Sequence, residues 1–68
     1  IVNRSNEKGN TILHQAAAEG NDQIVSFLLE HGADPNLKNR REQTPLHTSA
    51  WLGHEDVVAI LLSHGANM

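Results

Sequence analysis

The side chains with the clearest potential for chemistry in this 68-residue chain are its five histidines: His14, His31, His47, His54 and His64. Histidine changes charge near neutral pH and is the commonest metal ligand, so it serves both acid–base catalysis and zinc binding. A catalytic site also needs a nucleophile, a base and an orienting group at suitable spacing, and no such triad can be assembled here. Glycine-rich phosphate loops and cysteines are both absent, and the lack of cysteine excludes disulfides and thiolate metal sites.

A period of 33 residues organises the chain. The segment TILHQAAAEGNDQIVSFLLEHGA at residues 11–33 returns as TPLHTSAWLGHEDVVAILLSHGA at residues 44–66. At this offset, 13 of the 35 residue pairs between 1–35 and 34–68 are identical, and a chance match to one motif would not recur in register. A fixed period in the range of roughly 20–50 residues indicates repeated supersecondary units that stack on one another.

The chain resembles the ankyrin repeat family over nearly all of its length. The resemblance is carried by the period, by TPLH at 44–47, by the interhelix residues Gly20 and Gly53, and by LLEHGAD at 28–34. It implies an all-α solenoid of two stacked helix-turn-helix repeats joined by a β-turn or hairpin finger. We expect residues 1–5 to end a preceding unit, with repeats at 6–38 and 39–68, and the whole to be a piece of a longer array.

Local signals predict two helices in each repeat. Thr11 and Thr44 are suited to N-capping, and Pro45 suits the first helical position because its missing N–H would be unpaired there. We predict helices over 12–19 and 22–31 and over the equivalent residues of the second repeat, with Gly20 and Gly32 closing the first pair. The predicted core consists of Ile24, Val25, Leu28 and Leu29, of Val57, Val58, Leu61 and Leu62, and of the smaller inner faces formed by Leu13, Ala16, Ala17, Leu46, Ser49 and Ala50.

Two residues depart from the family pattern. Glu42 stands where the first copy has Gly9, at a place where the resemblance implies a glycine with positive φ. The glutamate must therefore either strain the turn or re-form it, at a cost of about 1 kcal/mol or somewhat more. Ile12 replaces the usual proline and should loosen the entry to the first helix. Phe27 and Ile60 occupy matching positions beside the core, where we expect contacts between repeats.

The repeat pattern gives most of the histidines structural roles, which argues against catalysis or metal binding. In the family, the TPLH histidines hold the finger to the helix by hydrogen bonds, which is the role implied for His14 and His47. His31 and His64 lie at equivalent helix ends, where a partly protonated imidazole suits the negative end of the helix dipole. Stacked helices lie about 8–10 Å apart, whereas zinc holds its nitrogen ligands at about 2 Å. We therefore predict no enzyme activity, no cofactor, no metal site and no small-molecule substrate.

Composition limits the remaining classes. The longest apolar runs are a few residues long, far short of the roughly 20 needed to cross a bilayer, so membrane insertion is not expected. The absence of cysteine fits a reducing interior, and we expect an intracellular protein, cytoplasmic or nuclear. Two repeats without obvious polar caps should be weakly stable, and open repeat ends would allow self-association.

Charge is concentrated in what we call the finger segments, residues 1–10 and 33–43. All five basic residues of the chain lie there: Arg4, Lys8, Lys38, Arg40 and Arg41. They form either a solvated tip or a steering surface for an acidic partner. Five cations beside an acidic helical layer fall short of the basic stripe that nucleic acid binding needs.

In ankyrin repeats the binding surface consists of the finger tips and the exposed positions of each first helix. Carried over by register, the resemblance implies these partner-binding residues: Glu7, Lys8, Asn10, Ala18 and Glu19 in the first repeat, and Arg40, Arg41, Gln43, Trp51 and Leu52 in the second. Trp51 is either an interaction hot spot or a side chain that packs over the neighbouring repeat or lies scattered on the surface. Leu52 is expected to shield the interhelix turn.

Three hypotheses follow for the function. The first is a non-catalytic protein–protein interaction module whose partner protein is unidentified. The second is a structural spacer within a larger scaffold, channel or enzyme, with no partner of its own. The third, the weakest, is a segment of a catalytic or nucleic acid-binding protein.

Overall fold

The computed structural model describes residues 4–66 of the chain, and within them it contains four α-helices. These are α1 (Ile12–Glu19), α2 (Asp22–Glu30), α3 (Pro45–Trp51) and α4 (Glu55–Ser63). Helices α1 and α2 form a first pair, α3 and α4 a second, and the second pair stacks on the first through α1 against α3 and α2 against α4. The predicted all-α repeat architecture is confirmed.

Each first helix begins at a threonine that forms a capping box with a histidine. The Thr11 side chain accepts from the backbone N–H of His14, and the His14 ring accepts in return from the backbone N–H of Thr11. Thr44 and His47 repeat the arrangement, with Pro45 at the first helical position. Reciprocal capping satisfies two backbone donors that a helix N-terminus would otherwise leave unpaired.

The ends of the remaining helices follow the predicted signals closely. Asn21 caps α2 by accepting from the backbone N–H of Ile24, and Gly20 closes α1 at a φ of 72°. Helix α2 ends at Glu30, one residue earlier than predicted, because His31 is its C-cap. Nδ1 of His31 donates to the carbonyl oxygen of Phe27 at 2.8 Å, so one of the unpaired carbonyl groups at the C-terminal end of α2 gains a donor.

The core lies between the two pairs. Its buried apolar residues are Leu13, Ala16, Ala17, Val25, Leu28, Leu29, Ala33, Leu46, Val57, Leu61 and Ala66, with Val58 and Ile60 packed against them. Ser49 is the one buried polar side chain that replaces an apolar counterpart, Ala16. Its hydroxyl donates to the carbonyl oxygen of Leu46 at 3.1 Å, so the buried oxygen is paired.

Equivalent positions of the two pairs differ in exposure. The N-terminal face, which we define as Ile12, Ile24 and Phe27, is exposed on the first pair, whereas its equivalents Pro45, Val57 and Ile60 are buried or half buried in the second.

The C-terminal face, Ala50, Val58 and Leu62, is exposed or half buried on the second pair. Its equivalents Ala17, Val25 and Leu29 are buried in the first, since α3 and α4 pack on that side of α1 and α2.

Three core predictions were therefore wrong. Ile24 is 43% exposed and Leu62 39% exposed, although both belong to the apolar stripes, and Ala50 is exposed as well. Phe27, expected to contact another repeat, is 55% exposed and stacks on the ring of His31, with ring centroids 4.1 Å apart. The physical reason is common to all of them: each points away from the other helix pair, and a stripe buries only the side that a neighbour covers.

Candidate functional site

The finger segments place six of the ten predicted binding residues side by side. The backbone N–H of Arg40 donates to the carbonyl oxygen of Lys8 at 3.0 Å. The side-chain amide of Asn39 donates to Oδ1 of Asn10 at 2.9 Å. These two bonds join the fingers directly, so that Glu7, Lys8 and Asn10 of the first lie beside Arg40, Arg41 and Gln43 of the second.

Two asparagines hold the tips of the fingers. Oδ1 of Asn39 accepts from the backbone N–H groups of Arg41 at 2.8 Å and Gln43 at 3.0 Å. Asn6 does the same for Lys8 and Asn10 in the first finger. Asparagine favours such turns because its side chain can take the place of a backbone acceptor. The exposed side chains of the tips are thereby carried on well-defined backbones.

Glu42 lies at the tip of the second finger with a φ of 60°, the only positive φ of a non-glycine residue in the described part of the chain. Its equivalent, Gly9, has a φ of 78°. Of the two expected alternatives, a strained or a re-formed turn, the structure has the first: Glu42 takes the left-handed conformation, which costs an L-residue roughly 1–2 kcal/mol.

His14 connects the second finger segment to helix α1. Nδ1 accepts from the backbone N–H of Thr11 at 3.0 Å, which leaves the ring proton on Nε2, and Nε2 donates to the carbonyl oxygen of Gln43 at 2.8 Å. The ring is buried. His47 makes the equivalent bond to Thr44 at 3.2 Å but is exposed. His14 thus holds a finger to the helices as predicted, whereas the bonds of His47 run to Thr44, the N-cap of its own helix.

The other four predicted residues lie at the C-terminal ends of the first helices. Ala18 and Glu19 end α1, while Trp51 ends α3 and Leu52 is its C-cap. Trp51 is 88% exposed, so it does not pack over the neighbouring pair. Leu52 is 51% exposed beside it, which is more than its predicted role as a shield of the turn would allow.

The geometry divides the candidate site into two parts, one on the two fingers and one at the C-terminal ends of α1 and α3. Thr44, Thr48 and Trp51 are three or four residues apart and therefore share one face of α3. At 1.5 Å per residue, the seven residues of α3 separate the finger end from Trp51 by roughly 10 Å. A polar, basic end and an apolar end are thus within reach of one partner.

Comparison with known protein families decides the identity of the fold. The family model described as "Ankyrin repeats (3 copies)" matches residues 1–68. This chain is an ankyrin repeat protein. Ankyrin repeats are in general protein-interaction modules without catalytic activity, and the resemblance carried by TPLH and the interhelix glycines is confirmed.

Similar ankyrin repeat segments occur in otherwise unlike proteins. The chain is 54% identical over 33 residues to Potassium channel AKT1 of Oryza sativa subsp. indica, a match that covers 48% of this chain and 4% of that protein. It is 55% identical over 38 residues to Oxysterol-binding protein-related protein 1 of Homo sapiens, a match that covers 56% of this chain and 4% of that protein. It is 49% identical over 37 residues to Ankyrin repeat family A protein 2 of Homo sapiens, a match that covers 54% of this chain and 12% of that protein. The chain thus spans a small part of the length of these relatives.

One residue of the ankyrin repeat framework escaped the sequence reasoning. Nε2 of His54 donates to the carbonyl oxygen of Ala18 at 3.0 Å, across the two helix pairs. The ring lies over Gly20, where an added Cβ would meet Nδ1 of His54 at 2.7 Å. Its equivalent in the first repeat, Asn21, caps its own helix instead. The signal was present in this exchange of Asn for His, because the longer ring can reach the neighbouring turn.

The described residues offer few other places for chemistry in this ankyrin repeat chain. Between residues 4 and 66, no three His, Asp or Glu side chains come together as a metal site would require. In the same residues no helix has the length and apolar character to cross a membrane. An open cleft of about 310 Å³ runs between the fingers, lined by Ser5, Gly9, Thr11, Leu37, Lys38, Asn39 and Arg40.

Proposed function

We propose that this chain binds a partner protein through the finger tips and the exposed ends of α1 and α3, without catalysing a reaction. The observation that carries the proposal is the exposure of Trp51, at 88%, beside Leu52 at 51%. The core is complete without either side chain, since buried residues of both helix pairs form one continuous cluster. Large apolar side chains that the fold does not use are typical of interaction sites.

A tryptophan in this place can contribute much of the binding energy. It buries about 150–250 Å² when a partner covers it, and tryptophans at the centre of interfaces commonly lose about 2 kcal/mol or more of binding on truncation to alanine. Trp51 follows the face of α3 that leads back to the fingers, so a partner that covers it also meets the finger side chains. The surface therefore has an apolar anchor and a charged neighbour.

The charged part favours an acidic partner. Arg4, Lys8, Lys38, Arg40 and Arg41 are all exposed in the described finger segments. Exposed charges at the rim of an interface mainly raise the association rate and select the partner, and their effect weakens as salt screens them. We infer that Trp51 supplies affinity, while Arg40 and Arg41 steer an acidic protein surface toward it.

The test begins with partners cross-linked in cells to the full-length protein that carries this segment and identified by mass spectrometry. Binding of each is then measured for the unchanged chain, Trp51→Ala, the double variant Arg40→Glu/Arg41→Glu, and the control Gln23→Ala, which changes an exposed residue of α2. We expect Trp51→Ala to weaken binding by about 30-fold or more, which corresponds to about 2 kcal/mol. The charge reversal should slow association most at low salt, and Gln23→Ala should bind normally.

Circular dichroism of the same variants separates binding from folding, because an exposed residue outside the core should leave the helices intact. Equal binding by Trp51→Ala and by the control would overturn the proposal. The second candidate function, a structural spacer, would then be favoured. It has an observation of its own: the N-terminal and C-terminal faces are apolar and partly exposed, as expected of repeats 6–38 and 39–68 placed within a longer array.

We also propose an intracellular setting, cytoplasmic or nuclear. The support is compositional: the chain has no cysteine, and proteins of reducing compartments do not depend on disulfides. Localisation of a fluorescent fusion of the parent protein tests this directly, and accumulation in the secretory pathway would contradict it.

A further inference from the structure

The open cleft of about 310 Å³ lies where the two fingers meet. The first finger and the start of α1 contribute Ser5, Gly9 and Thr11 to its walls, and residues 37–40 of the second finger form the other side. Small-molecule sites in proteins measure roughly 300–1,000 Å³, so the cleft has room for one small group of a ligand. Its walls include no residue of the N-terminal face or the C-terminal face.

The cleft is positively charged, although the chain as a whole has a net charge of −3. Lys38 and Arg40 both line the cleft and are both exposed. None of its seven lining residues is an aspartate or a glutamate. Ser5 adds a hydroxyl group that can donate a hydrogen bond. Two cations without a carboxylate in the same walls leave positive charge that an anion from outside can neutralise.

Bonds between the fingers fix the walls of the cleft. The backbone N–H of Arg40 donates to the carbonyl oxygen of Lys8 at 3.0 Å. The side-chain amide of Asn39 donates to Oδ1 of Asn10 at 2.9 Å. The stem of Arg40 also crosses the first finger at Gly9, where an added Cβ would be 3.2 Å from its Cγ and so would crowd it. A site that is held in place before a ligand arrives loses less conformational entropy on binding.

The lining favours a phosphate ester over a carboxylate. A single arginine fork already matches a carboxylate, whereas a phosphate ester carries a charge of about −1.5 to −2 near neutral pH and has three strong acceptor oxygens. Leu37 is half buried in the same wall, and it offers an apolar contact to the carbon atom that bears the phosphate. The cleft therefore suits a phosphate attached to an organic group.

We propose that this cleft binds a phosphorylated side chain of the partner protein, with Lys38 and Arg40 as the cations that hold the phosphate and Ser5 as a hydroxyl donor. The affinity for phosphate is a property of the cleft alone, whereas the assignment of the phosphate to a protein rests on the proposed function. Arg40 belongs both to the cleft and to the proposed partner surface, and this continuity makes a partner protein the source that fits.

The first test uses phenyl phosphate as the probe, at about pH 7.5, where it is mostly a dianion. It is titrated into the isotope-labelled chain, and NMR shifts of the backbone amides show which residues respond. We expect Ser5, Gly9 and residues 37–40 to respond together. Lys38→Gln should weaken binding by about tenfold, because a charged hydrogen-bond donor is lost.

Two controls accompany this titration. Arg4→Gln removes the same charge from an exposed residue of the first finger that does not line the cleft, so it should change binding by less than about twofold, since salt screens distant charges. Phenylacetate carries one charge next to the same ring, and it should bind at least about fivefold more weakly than phenyl phosphate.

The second test uses the full-length protein that carries this segment, so it does not depend on the stability of the isolated chain. Its binding to each cross-linked partner is measured before and after the partner is treated with phosphatase. Loss of the phosphate should weaken binding by about tenfold or more. Lys38→Gln should abolish this difference between the two forms of the partner, and Arg4→Gln should preserve it.

The outcomes separate this inference from the proposed function. Loss of partner binding in Trp51→Ala, with equal binding before and after phosphatase treatment, would overturn the phosphate inference and leave the proposed function standing. A phosphatase effect that requires Lys38, with normal binding by Trp51→Ala, would support the cleft and contradict the role of Trp51.

Three results of the titration would also overturn the inference. These are the absence of shifts at the residues of the cleft, equal weakening by Lys38→Gln and Arg4→Gln, and binding of phenylacetate as tight as that of phenyl phosphate. Equal weakening would mean that phenyl phosphate is attracted by the overall charge of the fingers and not by the cleft.

Discussion

The two TPLH-type histidines allow the contact between the helix pairs to be measured in isolation. His14 and His47 both accept from the backbone N–H of a capping threonine through Nδ1, but only His14 also reaches the other finger, through Nε2 to the carbonyl of Gln43 at 2.8 Å. Replacing each by asparagine keeps an acceptor near the position of Nδ1 and removes Nε2. The comparison of His14→Asn with His47→Asn thus reports the bridging bond and the packing of the buried ring.

The expected loss of stability in each variant depends on how far the replaced histidine ring is buried. A hydrogen bond of this kind contributes about 0.5–1.5 kcal/mol to the free energy of unfolding, and the smaller amide leaves unfilled space around a ring that is 2% exposed. We expect His14→Asn to lower the free energy of unfolding by about 1–3 kcal/mol and His47→Asn by less than about 0.5 kcal/mol, since the His47 ring is exposed and asparagine keeps the capping acceptor.

Thermal unfolding followed by circular dichroism measures the difference. For a domain of this size, 1 kcal/mol shifts Tm by about 4–8 °C. A difference of at least about 0.5 kcal/mol should therefore place the Tm of His14→Asn at least about 2 °C below that of His47→Asn. Urea unfolding at a fixed protein concentration provides the control for association. Equal losses in the two variants, or a greater loss at His47, would refute the idea that Nε2 of His14 links the helix pairs.

Two further matched pairs test the packing. In urea unfolding, Gly20→Ala should lower the free energy of unfolding by about 1 kcal/mol more than Gly53→Ala does. Both glycines have positive φ, but only at Gly20 would the added Cβ displace the His54 ring and break its bond to Ala18. Equal losses would mean that the His54 bond contributes nothing. Leu61→Ala should cost about 2–5 kcal/mol, because Leu61 is fully buried, and Leu62→Ala less than half as much, because Leu62 is 39% exposed. A larger loss at Leu62 would show that the C-terminal face is covered in solution.

Local chemistry explains why so much of the fold could be predicted from the sequence. The bounds of α1 and the N-terminus of each first helix depend on neighbours within four residues, such as Thr11 and His14 or Thr44 and Pro45. The positive φ of Glu42 was one of two alternatives for the same reason, because the turn around it repeats that of Gly9. Caps and tight turns are decided by short-range hydrogen bonds and sterics, which a sequence displays directly.

The exposure of the apolar stripes was not predictable in the same way. Ile24 and Val57 occupy the same position in the two repeats and have similar side chains, yet Ile24 is 43% exposed and Val57 1% exposed. Their burial depends on whether another helix pair lies beside them, and a hydrophobic period does not state which side is covered. The reach of His54 to Ala18 is likewise a contact across 36 residues, beyond any local pattern.

The candidate binding surface contains features that local sequence decides and features that depend on neighbouring helices. Register alone was enough to bring Lys8 and Arg40 side by side, since the backbone bond between them follows from stacking two equal turns. The exposure of Trp51 was one of two open alternatives, since its counterpart Ala18 is half buried and a local pattern does not state which side a neighbour covers. The two repeats therefore differ at this position by a substitution, Ala18 in the first and Trp51 in the second, and such substitutions distinguish one ankyrin repeat surface from another.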